Sequence, residues 1–164
     1  MSMKLIWKKG RGKLGILTPL IGTWHTLADT PQGAVLCTRS FQKVLNGSYI
    51  ELTAIWHLGE NGYEERAFFG CDAARTIRFW SFTSDGKQSS GEQTDTIDIH
   101  PEALGFIAQM PAGIARQIYW PDETQGFHWA VESQTKKGWK RFVEHHYISD
   151  TQPITSPEDA PLHS

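Results

Sequence analysis

The stretch CTRSFQKVLNGSYIELTAIW, Cys37 to Trp56, consists of two extended runs joined at Asn46-Gly47. β-Branched and aromatic residues are frequent on both sides of the joint. Asn-Gly is the dipeptide favoured by tight hairpin turns, whose central residues need positive φ. Residues directly opposite each other in an antiparallel hairpin share a face. A two-residue turn at Asn46-Gly47, or a four-residue loop that also takes in Leu45 and Ser48, sets Phe41 opposite Leu52, Arg39 opposite Ala54 and Cys37 opposite Trp56. That face is apolar and is the one expected to be buried. The other carries Thr38, Ser40, Gln42, Glu51, Thr53 and His57, which suits water. Arg39 therefore points inward, beside a small residue that leaves it room. A three-residue turn would exchange the two faces, because a slip of one residue moves every side chain to the opposite side.

Outward from this hairpin, turn signals recur between stretches of the same kind and helical periodicity is scarce, which is an all-β pattern. The expected strands are Thr23–Ala28, Val35–Leu45, Ser48–Leu58, Tyr63–Cys71, Thr76–Thr83, a weak one at Gln93–Ile99, Leu104–Met110, Ala115–Trp120, Phe127–Gln134 and Trp139–Ile148. Most links are too short for crossovers, so sequence neighbours pair antiparallel as a meander. Closing a meander of roughly ten strands into a barrel removes both exposed edges. The expected organisation is one barrel domain over residues 1–150, with residues 1–19 as an N-terminal extension. A polar tail, rich in Pro, Ser, Thr and Asp, follows over 151–164.

With 164 residues the chain can bury a core without disulfides or metals, and its two cysteines point to a reducing, cytoplasmic setting. A net charge of −2 gives no footprint for nucleic acid or an anionic membrane. No apolar run approaches the roughly 20 residues of a membrane-spanning helix. Lys4, Lys8, Lys9, Arg11 and Lys13 precede the short apolar stretch LGILTPLIG, but Pro19 breaks it and no signal peptide is expected.

The segment LIGTW, Leu20–Trp24, resembles the Gly-x-Trp that opens lipocalins and related calycin barrels. VLNGSYIELTAIW, RAFFGCDAARTIRFW and TSDG resemble the uncharacterised bacterial lipocalin-like domains, so the similarity runs from about Leu20 to Tyr147. The Thr-Asp-Tyr signature of lipocalins is absent. The resemblance therefore implies a ten-stranded barrel similar to fatty-acid-binding proteins, with a ligand in its lumen and Trp24 plugging one end.

Extending the register places Glu65, Ala67 and Phe69 on the Trp56 face and leaves Glu64 and Arg66 outside. Cys71 then falls inward opposite Leu52, too far from Cys37 for a disulfide. In the last hairpin Phe127, Trp129 and Val131 match the row Trp139, Arg141, Val143, His145 and Tyr147 if the turn has odd length with a bulge at Gly138. That puts Arg141 inside, near Arg39. Since an unpaired buried guanidinium is very costly, the interior arginines need partners. Either Arg39 pairs with Glu65, or Arg39, Arg141 and Tyr147 clamp an anionic headgroup. The candidate lumen set is Arg39, Phe41, Ala54, Trp56, Glu65, Phe69, Trp129, Arg141, His145 and Tyr147.

The expected function is binding of a small hydrophobic or amphipathic, anionic ligand, with no cofactor; a homodimer stays open. Two alternatives are a lumen enzyme with Glu65 as general base and a haem barrel resembling nitrobindin with His145 as axial ligand. His145 and His146 point to opposite faces of a strand and cannot hold one metal ion together. GRGKLG, Gly10–Gly15, spells Gly-x-Gly-x-x-Gly but lacks the surrounding βαβ unit of a dinucleotide site.

Overall fold

The alternating pattern produces a meander of ten antiparallel strands: β1 Gly22–Thr30, β2 Gly33–Val44, β3 Tyr49–Trp56, β4 Tyr63–Cys71, β5 Ile77–Thr83, β6 Gln88–Thr94, β7 Leu104–Met110, β8 Gly113–Pro121, β9 Phe127–Thr135 and β10 Gly138–Ser149. In the computed structural model, which describes residues 4–150, they close into a barrel in which β1 pairs with β10. The tail expected over 151–164 lies outside the described residues. Among those residues no helix is long and apolar enough to cross a membrane.

The Asn46-Gly47 joint is the four-residue loop Leu45–Ser48, with Leu45, Asn46 and Gly47 all at positive φ. Its even length preserves the expected register, so Phe41 faces Leu52, Arg39 faces Ala54 and Cys37 faces Trp56. The next ladder sets Ala54 opposite Glu65 and Leu52 opposite Ala67. Ala67, not Cys71, is thus the partner of Leu52. Cys71 lies at the end of β4, where its thiol approaches the Lys13 carbonyl.

One end of the barrel is filled. A 3-10 helix at Gly15–Leu20 drives Leu17 and Leu20 into the core, against which Trp24 also packs. The Trp24 indole N–H is fixed by the Leu20 carbonyl at 2.8 Å, and its ring meets Phe127 edge-on. Phe41, Phe69 and Phe127 complete this apolar plug, and Phe79 and Phe106 pack on Phe69 at its upper margin. The GRGKLG segment is the loop leading into the plug, closed by a bond from the Gly10 amide to the Gly15 carbonyl.

Two departures from expectation have physical causes. The sixth strand is Gln88–Thr94, while most of the segment expected to form it, Gln93–Ile99, lies in the link to β7. QSSGEQT has no apolar alternation, and its buried position is Gly91, which admits β7 and the Phe79 ring where a side chain would not fit. In the last hairpin Thr135 pairs with Gly138 around a two-residue turn, and the extra residue sits at Phe142, between Arg141 and Val143. The bulge re-aims half the strand. Val143, His145 and Tyr147 keep the inward face, whereas Trp139 and Arg141 turn outward.

The closing seam is sparse. Among the described residues β1 and β10 share only the pairs Trp24–Ser149 and His25–Ile148, against nine pairs between β1 and β2. Beyond them the strands part around a cleft of about 500 Å³ between Thr26–Thr30 and Phe142–His146.

A methyl group at Gly91 would lie 2.0 Å from the Ile107 carbonyl oxygen and 2.7 Å from the Phe79 ring. Gly91→Ala is therefore expected to lower the unfolding free energy by about 1–3 kcal/mol, as overpacking does. Urea titration of the two proteins measures it; equal midpoints would mean β6 and β7 are not in this contact.

Candidate functional site

Above the plug a polar layer crosses the lumen. Arg39 leaves β2 and reaches β8 on the far wall, where the hydroxyl oxygen of Tyr119 accepts its Nε–H at 3.2 Å and an Nη2–H at 2.9 Å. The guanidinium lies over the Trp129 ring at 4.2 Å, with the Tyr119 and Tyr147 rings at 5.5 and 5.9 Å. Arg39 is 1% exposed, the most deeply buried charge among the described residues. Burial opposes a cation there, but Tyr119, Tyr147 and Glu65 outweigh it and raise the arginine above its ordinary value, so it stays charged.

The counter-charge is Glu65, 3.8 Å from the guanidinium across the small side chain of Ala54. This is an ion pair and not a direct hydrogen bond. The other Glu65 oxygen accepts the Ser81 hydroxyl. Of the two neighbours that hold Arg39, the sequence reading found Glu65 and missed Tyr119. Tyr119 lies directly opposite Trp129 in the β8–β9 ladder, so the register that placed Trp129 inside also places Tyr119 there.

His145 belongs to the same layer. Its Nδ1 is 3.1 Å from the Tyr147 hydroxyl, and its ring packs between Trp56 and Trp129 at 5.2 and 5.4 Å. Burial first, and then the Arg39 charge, push its pKa down to about 4, so the imidazole is neutral near pH 7. Burial likewise raises Tyr119 to about 12 and raises Tyr147, leaving both as neutral phenols.

Between this layer and the open end lies a cavity of about 280 Å³, walled by Phe79, Phe106, Ala108, Met110, Ala115, Val131 and Trp129, with Tyr63, Glu65, Ser89, Gln117 and Arg116 as polar residues. The Gln117 side-chain oxygen accepts the Trp129 indole N–H at 3.2 Å. Arg39 lies beneath this wall and not in it. Phe41 and Phe69 are in the plug, while Tyr147 and His145 stand beside Arg39 and Trp56 packs on His145.

Arg141 is a correction: it lies on the outer face. There Glu132 binds Arg141 through one oxygen at 2.9 Å and Arg116 through the other at 2.8 Å. Asp98 takes Arg116 in a two-point contact, and Trp139 stacks on the Arg116 guanidinium at 4.3 Å. Phe142, extruded at the bulge, separates this outer cluster from the inward half of β10. Arg141 therefore does not belong to the lumen set.

Tyr119→Phe removes the acceptor of two guanidinium bonds without emptying the space. It is expected to destabilise the protein by about 1.5–3 kcal/mol, as loss of bonds to a charged group does; chemical denaturation checks it, and an unchanged stability would mean water replaces the hydroxyl. His145 yields a pH effect. Its folded-state value lies below the ordinary value of about 6.5, so between these two values the unfolded chain binds more protons. The contribution is complete above about pH 6.5 and is lost as pH falls toward 4, on the order of 3 kcal/mol in all. The difference between wild type and His145→Gln, followed by denaturation across that window, should change with pH in this sense; a constant difference would refute it.

No protein-family model matches the chain and no curated protein is significantly similar to it, so the chemistry of the lumen rests on its own residues.

Proposed function

We propose that the protein binds a small, mostly apolar molecule in the open half of the barrel, its polar end donating a hydrogen bond to Glu65 above the Arg39 layer. The observation that carries this is the cavity of about 280 Å³, with apolar walls and a few convergent polar groups. That is the usual make-up of a small-molecule site, at a volume just below the usual range of about 300–1,000 Å³. The closed ten-stranded meander and the similarity of its opening Gly-x-Trp to calycin barrels support the same reading as analogy.

The position of Arg39 decides the polarity of the ligand. A free guanidinium in the wall would favour a carboxylate, but Arg116, which also lines the cavity, has its guanidinium taken by Glu132 and Asp98, so a molecule entering here meets the Glu65 carboxylate first, with Arg39 behind it. A carboxylate end is repelled by Glu65, and an ammonium end would face the Arg39 charge. A neutral hydroxyl suits a site in which the two charges nearly cancel. Phe79, Phe106, Met110 and Val131 then enclose the hydrocarbon, worth roughly 0.8 kcal/mol per buried methylene.

Calorimetric titration with 1-octanol and octanoate tests this. The alcohol should bind at least about tenfold more tightly, a difference of roughly 1.4 kcal/mol. Glu65→Gln, which keeps the shape and removes the charge, should abolish the discrimination by improving octanoate. Tighter binding of octanoate to the wild type, lost in Arg39→Met, would replace this reading with an anion clamp, and no binding of either would end it.

A further inference from the structure

The outer face of β8, β9 and β10 carries a second constellation. His128 and His146 are directly opposite each other in the β9–β10 ladder and share the outer surface. Their rings stack with centroids 4.5 Å apart. On its other side His128 lies flat against Trp120, its cross-strand neighbour in β8, at 5.3 Å. The pair is therefore held by three strands of a closed sheet.

Asp122 faces it from the start of the β8–β9 loop. One of its oxygens accepts the Thr124 and Gln125 amides at 3.0 and 3.2 Å, which fixes the carboxylate and leaves the other oxygen 2.8 Å from His128 Nε2. His146 Nε2 gives its proton to the Gln125 carbonyl at 2.9 Å. One ligand atom each from Asp122, His128 and His146 lie within 4.8 Å of one another. Side-chain exposures of 23%, 23% and 39% leave an approach from solvent.

We propose that Asp122, His128 and His146 bind one divalent ion of the zinc type, with water completing its coordination. Two imidazoles and a carboxylate suit zinc, copper, nickel and iron, whereas magnesium and calcium prefer all-oxygen sets. Ligand atoms about 2.0–2.1 Å from a tetrahedral ion are about 3.3 Å apart, so small rotations about the side-chain bonds bring these three together. The ion takes the Nε2 positions whose protons His128 and His146 now direct at the Asp122 and Gln125 oxygens; each imidazole binds it as the neutral tautomer, its proton moved to Nδ1, so no net proton leaves the pair. Arg141, which lies over the Trp120 ring at 5.1 Å, is paired with Glu132 and Glu144. His145, next in sequence to His146, faces the lumen and takes no part. The partner of His146 comes from the neighbouring strand.

The test is titration of tag-free protein with zinc chloride by calorimetry, with zinc counted after dialysis. One ion per chain is expected, with affinity falling at least tenfold in His128→Gln and in His146→Gln, and unchanged in His57→Gln and Cys71→Ser. Magnesium chloride should give no heat of binding. Circular dichroism confirms that each variant is folded; because both histidines are partly exposed, Asp122→Asn serves as a third variant if either is not. Zinc uptake that survives all the folded site variants, or that disappears with Cys71→Ser, would overturn the proposal, as would the absence of uptake at millimolar zinc.

Discussion

A guanidinium with no access to solvent must be surrounded on every side, and in this barrel that requirement falls on Arg39. Removing one partner of a buried charge typically costs about 3–5 kcal/mol, more than most single contacts in a core contribute. The residues around Arg39 are correspondingly constrained. Position 54 has to be small for the guanidinium and the Glu65 carboxylate to approach. β8 has to bring a hydroxyl to the height of β2, eighty residues away in sequence. Trp129 supplies a flat face in place of water, an interaction worth about 2 kcal/mol when desolvated. These contacts form a cross-brace that separates a lower half packed with aromatic rings from an upper half with space in it.

The hairpin containing Arg39 was legible because two local signals agree: the Asn-Gly joint limits the turn length, and the alternation of Phe41, Leu52 and Ala54 with polar neighbours identifies the inner face. From there the register carried correctly to Glu65. It failed where the sequence offers no local mark. Nothing in QSSGEQT announces a strand, because the packing of β6 relies on the absence of a side chain at Gly91. The bulge in β10 was expected at the residue best suited to positive φ, Gly138, but it occurs at Phe142. What decides its position is long-range: Glu132 on β9, itself paired with Arg116 of β8, holds Arg141 on the outer surface, and the strand corrects its phase only afterwards. Tyr119 carries no local mark of its role, since only the ladder that sets it opposite Trp129 brings its hydroxyl into the lumen.

The two faces of β8, β9 and β10 solve the same electrostatic problem differently. Inside, one cation meets one carboxylate at a distance, and neutral phenols and an indole do the rest. Outside, Arg116 and Arg141 share the two oxygens of Glu132, with Asp98 and Glu144 balancing the charge. Ile118 and Ala130 lie on the same outward face and are nevertheless fully buried. The outer surface here is thus a second, thinner layer of structure built from ions and aromatic rings.

The seam between β1 and β10 bears on how the chain reaches this state. Every other strand pairing joins neighbours in sequence, so nine hairpins can form from contacts a few residues apart. The seam joins His25 to Asp150, 125 residues away, and does so through a short stretch of ladder. The entropy of closing so long a loop grows only slowly with its length, but it has to be met before the few seam contacts return anything. Ring closure is therefore the nonlocal step of folding, and its success rests less on the seam than on Arg39 and Tyr119, which tie the two halves of the meander together through the interior.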